Sequence, residues 1–232
     1  MTGATIWLPG WSAPATVWDG AIGALPGGRH RVVDVAACAD EAAIWQAAED
    51  ALDGCGPARL VGWSMGGMIA LELAARHPDA VCEVLAVATA AALVRPAEPD
   101  GWHPSAVSRM RRRLAETGTS EFDAALWSPR ERGEGCDARW AAIRGTPARA
   151  ALAAGLDLIV AYSLAEPGRV AAPVHLLHGG QDTICPLAAA QRLAGALPHA
   201  ELTVWPECGH APFLTRPQRF SAWLQERIAV AA

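Results

Sequence analysis

Lysine is absent from the 232 residues, so all 19 basic side chains are arginine, set against 24 Asp and Glu. That acidic balance excludes a general nucleic-acid binder, which needs surplus cations to displace phosphate counterions. Long uncharged apolar stretches are also missing: runs such as 84–94 fall well short of the ~20 residues of a membrane helix. The start, Met1-Thr2-Gly3-Ala4, has no basic region and enters a strand-like segment at once, so no export signal is expected and a cytoplasmic protein is the default. The six cysteines (38, 55, 82, 136, 185, 208) include no CxxC pair, and no histidine stands at zinc-finger spacing. They read as small buried apolar residues, with no metal site or disulfide framework expected. No internal repeat is visible.

What is present is a chain able to bury a core: 52% apolar and 19% charged residues with net charge −5, enough for one large α/β domain or one carrying an inserted sub-domain. Short β-branched runs at 5–8, 31–35, 59–61 and 81–88 alternate with alanine-rich stretches at 40–52 and 68–76. That alternation predicts a parallel sheet with crossover helices on both faces, an α/β fold. From 95 to 169 the rhythm changes. No convincing strand is present, 11 arginines face 10 acids, and short helices fit 105–116, 120–127, 137–144 and 147–163. Strand-helix alternation then resumes at 174–178, 186–197, 201–205 and 217–230. The expected organisation is a core of 1–92 and 170–232 with a helical cap inserted at 93–169.

Gly62-Trp63-Ser64-Met65-Gly66 is a G-x-S-x-G sequence, which at this chain's own Gly and Ser frequencies would arise by chance roughly 0.07 times. It follows a short apolar strand and opens a helix. A serine there must turn sharply, and glycines two residues either side remove the Cβ atoms that would collide. The helix start aims backbone N–H groups and the positive dipole end at the reacting centre. The alternative is an ordinary Gly-rich turn.

A serine hydroxyl needs a base, and the base an orienting group. Of seven histidines, His77 reads as a helix end, His30 and His199 neighbour strand starts, His175 lies within a strand, and His103 sits in the insertion. His178 ends a strand and is a weaker contender. His210, in Glu207-Cys208-Gly209-His210-Ala211-Pro212-Phe213, follows the last strand at the sheet's carboxyl edge, where open α/β sheets place ligands. Asp182, just past another strand end and behind the turn Gly179-Gly180, is the candidate acid, with a plain turn aspartate as the alternative. An oxyanion hole needs two N–H donors. Met65, after the serine, offers one, and Trp11 in Pro9-Gly10-Trp11-Ser12 is the candidate for the other.

Together, Leu8-Pro9-Gly10-Trp11 with Val17-Trp18, Gly62 to Gly67, Gly180-Gln181-Asp182 and Gly209 to Phe213 resemble the α/β-hydrolase superfamily. Within it they are most similar to the pimeloyl-[acyl-carrier protein] methyl ester esterases of biotin synthesis, as is Gly155-Leu156-Asp157-Leu158. The resemblance covers most of 5–92 and 155–230. Two departures stand out: Pro9-Gly10 replaces the usual His-Gly, and the chain starts at the strand that follows an N-terminal hairpin in many relatives.

The resemblance implies an α/β-hydrolase fold and hydrolysis of a carrier-bound methyl ester, with Ser64, Asp182 and His210 as triad, Trp11 and Met65 at the oxyanion positions, and neither metal nor organic cofactor. Trp11, Trp63, Trp102, Phe122, Trp127, Trp140 and Phe213 are candidate pocket lining, each with core packing as the alternative. In 107–114, Val107, Met110 and Leu114 share one helix face while Arg109, Arg112 and Arg113 share another, a surface that would steer an acidic carrier protein. A solvated face is the alternative. A monomer is expected. Competing functions are a broad carboxylesterase, a lactonase or a cofactor-free haloperoxidase on the same triad, and a non-catalytic ligand-binding protein.

Overall fold

In the computed structural model, which describes residues 3–98 and 101–230, six strands form one sheet: β1 (Thr5–Leu8), β2 (His30–Val32), β3 (Ala58–Trp63), β4 (Val81–Val87), β5 (Val174–Gly179) and β6 (Ala200–Trp205). Their order is β2-β1-β3-β4-β5-β6, and every neighbouring pair is parallel. Helices α1 (Asp19–Gly23), α2 (Glu41–Asp50) and α3 (Met65–Arg76) fill the first connections. Between β4 and β5 run α4 (Pro104–Thr117), α5 (Ser120–Ala125), α6 (Pro129–Gly133), α7 (Cys136–Ile143) and α8 (Arg149–Ala161). Helix α9 (Leu187–Ala196) joins β5 to β6, and α10 (Pro212–Thr215) and α11 (Pro217–Val230) end the chain.

Side chains of β1, β3, β4 and β5 alternate between the two faces of the sheet, and both faces are covered. Ile6, Leu8, Leu60, Val84, Ala86, Val174 and Leu176 point into one apolar cluster with α2, α3 and α8. The alternate residues Trp7, Val61, Trp63, Leu85, Val87 and Leu177 enter a second with Trp18, Phe213, Phe220, Trp223 and Leu224. A lone Trp7 between two aliphatic neighbours therefore marks the aromatic face of the sheet. At the amino ends of the strands, where the pattern turns polar, Arg59 of β3 pairs with buried Glu83 of β4, and Glu83 lies 3.2 Å from the imidazole of His175 on β5.

The topology itself locates a crevice. From β1 the chain crosses outward to β2, then returns to place β3 on the other flank of β1, so the connections after β1 and β3 leave in opposite directions. Ligands of open α/β sheets bind at such a switch point. Register aligns Leu8 with Gly62, Trp63 with Val87, and Gly179 with Trp205. The loops that follow them all open on one edge.

Element boundaries differ from the sequence expectation where backbone geometry intervenes. Strand β2 stops at Val32 instead of 35, because Asp34 takes φ −87°, ψ 78° and starts a short 3-10 turn. Helix α6, unforeseen, is opened by Pro129 and a capping box of Ser128 and Glu131. Helix α2 starts as expected, with Asp40 Oδ1 accepting the Ala43 N–H at 2.8 Å. Asp40→Ala should cost about 1 kcal/mol in urea unfolding; an unchanged midpoint would mean that packing of Ile44 and Ala48 alone fixes the helix start.

Candidate active site

Ser64 sits between β3 and α3 with φ 54°, ψ −115°, a conformation an L-residue adopts only under strain, at a cost of about 1–3 kcal/mol. Its backbone is over-determined. Its N–H donates to Val87 O at 2.8 Å, and its carbonyl accepts from Gly67 N (2.9 Å), Met68 N (3.1 Å) and the Thr89 hydroxyl (2.9 Å). The flanking glycines are required by contact. A Cβ on Gly66 would lie 2.0 Å from Leu8 O, and one on Gly62 2.3 Å from Gly66 O. The bend therefore packs strand, helix and the β1 loop closer than any side chain permits.

His210 lies in the loop after β6, fully buried. Its Nδ1 is 2.7 Å from Asp182 Oδ2. An ionised carboxylate only accepts, so Nδ1 is the donor in this pair and Nε2 is the ring nitrogen left over. Nε2 is buried and makes no hydrogen bond among the described residues, Ser64 included. The contact between nucleophile and base commonly closes only with substrate in place. Asp182, behind the Gly179-Gly180 turn, is fixed by two amides: Oδ1 accepts from Ile184 N and Cys185 N, both at 2.9 Å.

The histidine is held as firmly as the aspartate. The indole N–H of Trp63 donates to His210 O at 2.8 Å, and the His210 N–H donates to Leu126 O at 2.8 Å. Trp63, expected as pocket lining, thus spans from the serine bend to the histidine loop, 1% exposed. Phe213 and Trp127 are likewise buried: Phe213 stacks on Trp18 at 4.5 Å and Trp127 meets Trp140 edge-on at 6.4 Å. Phe122 of α5 reaches the centre, lying 6.4 Å from the His210 ring and edge-on to Trp11 at 4.7 Å. Trp102 donates to Ile184 O, on the acid turn.

Trp11 follows β1 and Met65 opens α3, where the first N–H groups have no partner within the helix. Helix α8 crosses directly over both. The Trp11 indole donates to Leu152 O at 2.8 Å, and a Cβ on Gly155 would meet Trp11 Cδ1 at 2.5 Å and the Met65 sulfur at 3.2 Å. Arg109, Arg112 and Arg113 lie elsewhere, exposed on α4. Arg113 pairs with Glu121 at 3.3 Å, while Arg109 and Arg112 have no ion pair among the described residues. No group of three or more His, Cys, Asp or Glu is placed to hold a metal among the described residues.

His178, set aside in the sequence as a weaker base, lies against Asp182. Its Nε2 donates to Cys185 O at 2.7 Å and stands 3.5 Å from Asp182 Oδ2. Burial holds it below the ordinary histidine range, with the Asp182 charge opposing. The readable signal was its spacing, four residues before Asp182 across a double glycine that folds the chain back.

A strained serine between strand and helix, on the same sheet edge as a buried histidine bonded to an aspartate from the adjoining strand end, is the arrangement of a hydrolase of the α/β class. The chain belongs to the alpha/beta hydrolase family, whose profile matches residues 6–223. It is 34% identical to the pimeloyl-[acyl-carrier protein] methyl ester esterase of Nitrosomonas europaea over 93% of this chain and 91% of that one. To the enzyme of the same name from Chromobacterium violaceum it is 36% identical over 76% of this chain and 72% of the relative. An esterase from Exiguobacterium antarcticum has the same fold, with TM-score 0.84 at 18% identity over 98% of this chain and 92% of that one.

Two substitutions test this geometry. Gly155→Ala should cost about 1–3 kcal/mol in chemical unfolding, because the Trp11 indole is pinned and cannot yield; a neutral result would show that it can. For His178 the sign follows from its lowered pKa. The unfolded chain takes up that proton near pH ~6.5 while the folded chain resists. Stability present above that pH is therefore lost as the pH falls. His178→Gln, which keeps a donor for Cys185 O, should flatten the decline in melting temperature between about pH 7.5 and 5.5; an unchanged slope would refute the assignment.

Proposed function

We propose that this chain is a serine carboxylesterase that hydrolyses the methyl ester of a pimeloyl chain carried on acyl-carrier protein. One observation carries the catalytic reading: His210 Nδ1 lies 2.7 Å from Asp182 Oδ2 and leaves a buried Nε2 without a partner among the described residues, on the same sheet edge as the strained Ser64. The relatives' name supplies the substrate.

In this reading Ser64 Oγ attacks the ester carbonyl as His210 Nε2 takes its proton. The carbonyl oxygen becomes an oxyanion held by the N–H groups of Met65 and Trp11. Collapse expels the methoxy group, which leaves as methanol with the proton from His210. Water then gives a proton to His210 and its oxygen to the acyl carbon; the tetrahedral species breaks the bond to Ser64, which recovers the proton, and the free acid departs. Asp182 stays ionised throughout and stabilises the imidazolium. Ser64 and His210 are nearly sealed from water, which strengthens each of these interactions. Phe122, whose ring lies against Trp11 and near His210, lines the acyl path in this reading.

The carrier protein docks on α4, where Arg109 and Arg112 stand exposed and unpaired among the described residues. Its chemistry suits them: the arginines steer an acidic partner and do not touch the ester. We place the reaction in the cytoplasm; no helix among the described residues is long and apolar enough to cross a membrane.

The test compares methyl pimeloyl-carrier protein with p-nitrophenyl butyrate. Ser64→Ala should lose about 10⁴-fold or more in kcat on both. Arg109→Glu with Arg112→Glu should lower kcat/KM about tenfold on the carrier-bound ester alone. Equal loss on both esters would remove the docking surface. Faster turnover of the butyrate than of the carrier-bound ester would make the chain a broad esterase instead.

A further inference from the structure

Glu131 is fully buried, at 0% exposure, although nothing in its local role requires it. As the third residue of α6 it completes a capping box: Ser128 Oγ accepts the Glu131 N–H at 3.3 Å, and Glu131 Oε2 accepts the Ser128 N–H at 2.8 Å. Such boxes work at the surface, and burying a carboxylate is costly unless it gains partners. Here the same Oε2 also accepts the N–H of Gly209, 78 residues further along, at 2.8 Å. Gly209 is the peptide immediately before His210.

Two more bonds run between the same segments. Ser128 Oγ donates to Glu207 O at 3.0 Å, and the His210 N–H donates to Leu126 O. The turn at 126–131 thus grips the histidine loop at 207, 209 and 210. With Trp63 on the His210 carbonyl and Asp182 on its ring, the direction of Nε2 is set from every side. Of these anchors Glu131 is the one carboxyl group contributed by the helical insertion; its Oε1 is buried with no hydrogen-bond partner among the described residues. The approach is so close that a Cβ on Gly209 would meet Leu126 O at 2.6 Å.

We infer that Glu131 is a positioning residue for the catalytic base: its carboxylate, delivered by the insertion, holds the Gly209 peptide so that His210 Nε2 faces Ser64. This rests on reading His210 as the base. The insertion is then more than a cover over the substrate, because it completes the catalytic geometry from outside the sheet.

The experiment measures kcat and KM on p-nitrophenyl butyrate for Glu131→Ala and Glu131→Gln, with melting curves to confirm folding and Glu166→Gln, an exposed carboxylate, as control. Glu131→Ala should lose about tenfold or more in kcat with KM within about twofold, since misplacement of the base affects the chemical step. Glu131→Gln should stay within about threefold of wild type, because its amide oxygen accepts the same two N–H groups. A folded Glu131→Ala with wild-type kcat would overturn the inference, as would a Gln variant as impaired as Ala or a loss confined to KM. Should Glu131→Ala not fold, Glu131→Asp carries the test: its shorter arm withdraws from Gly209, so kcat should fall, and wild-type kcat would refute the role. His210→Ala and Ser64→Ala in the same assay separate the two readings. If they retain activity, the base assignment fails; if they are inactive while the Glu131 variants are normal, only this inference fails.

Discussion

A buried carboxylate against a buried imidazole, 2.7 Å apart, is the contact on which the arrangement of this molecule depends. Neither group could be stripped of water alone. Two amides satisfy the rest of Asp182, and Trp63 and Leu126 satisfy the His210 backbone, so the pair is affordable only inside a frame that fixes both loops. That frame is the carboxyl edge of a parallel sheet whose two apolar faces are already filled. The strain at Ser64 is tolerated for the same reason: Val87 of β4, Gly67 and Met68 of α3 and the Thr89 hydroxyl all hold its backbone, and the energy comes from packing elsewhere in the core.

Three chain segments remote in sequence meet here for reasons of different kinds. The serine bend is local, specified by two glycines whose missing Cβ atoms let Leu8, Gly62 and Gly66 close up. The acid turn is semi-local, built from Gly179, Gly180 and the His178–Cys185 bond. The histidine loop is non-local: besides its sheet neighbours it depends on the helical insertion, through Leu126, Ser128 and Glu131. The order of dependence runs from sheet to aspartate turn to histidine loop.

Much of this was legible in the sequence because it rests on periodicity and glycine. The strand at Thr5–Leu8 and the final helix at Pro217–Val230 coincide with their expected bounds. The parallel sheet followed from strand-helix alternation, and Ser64, Asp182 and His210 could be singled out because each follows a strand end. What stayed hidden lacks a periodic signal. Helix α6 is five residues long and was lost among the Arg and Glu of the insertion. Its Ser128-Pro129-Arg130-Glu131 pattern announces a cap, but no local pattern says that the glutamate will be buried against a loop 78 residues away. Trp63 read as a pocket wall because aromatic residues near a serine suit that role; its indole N–H, bonded to His210 O, gives it a framing one.

The most direct measurement of the central contact is stoichiometric labelling with a fluorophosphonate, followed by peptide mass spectrometry, on wild type and on His210→Ala. A base-activated serine on a strained bend should take up one phosphonyl group per chain at Ser64, and labelling should slow by about two orders of magnitude or more when the imidazole is removed. Absence of label at Ser64, or an equal rate in the two proteins, would contradict the account.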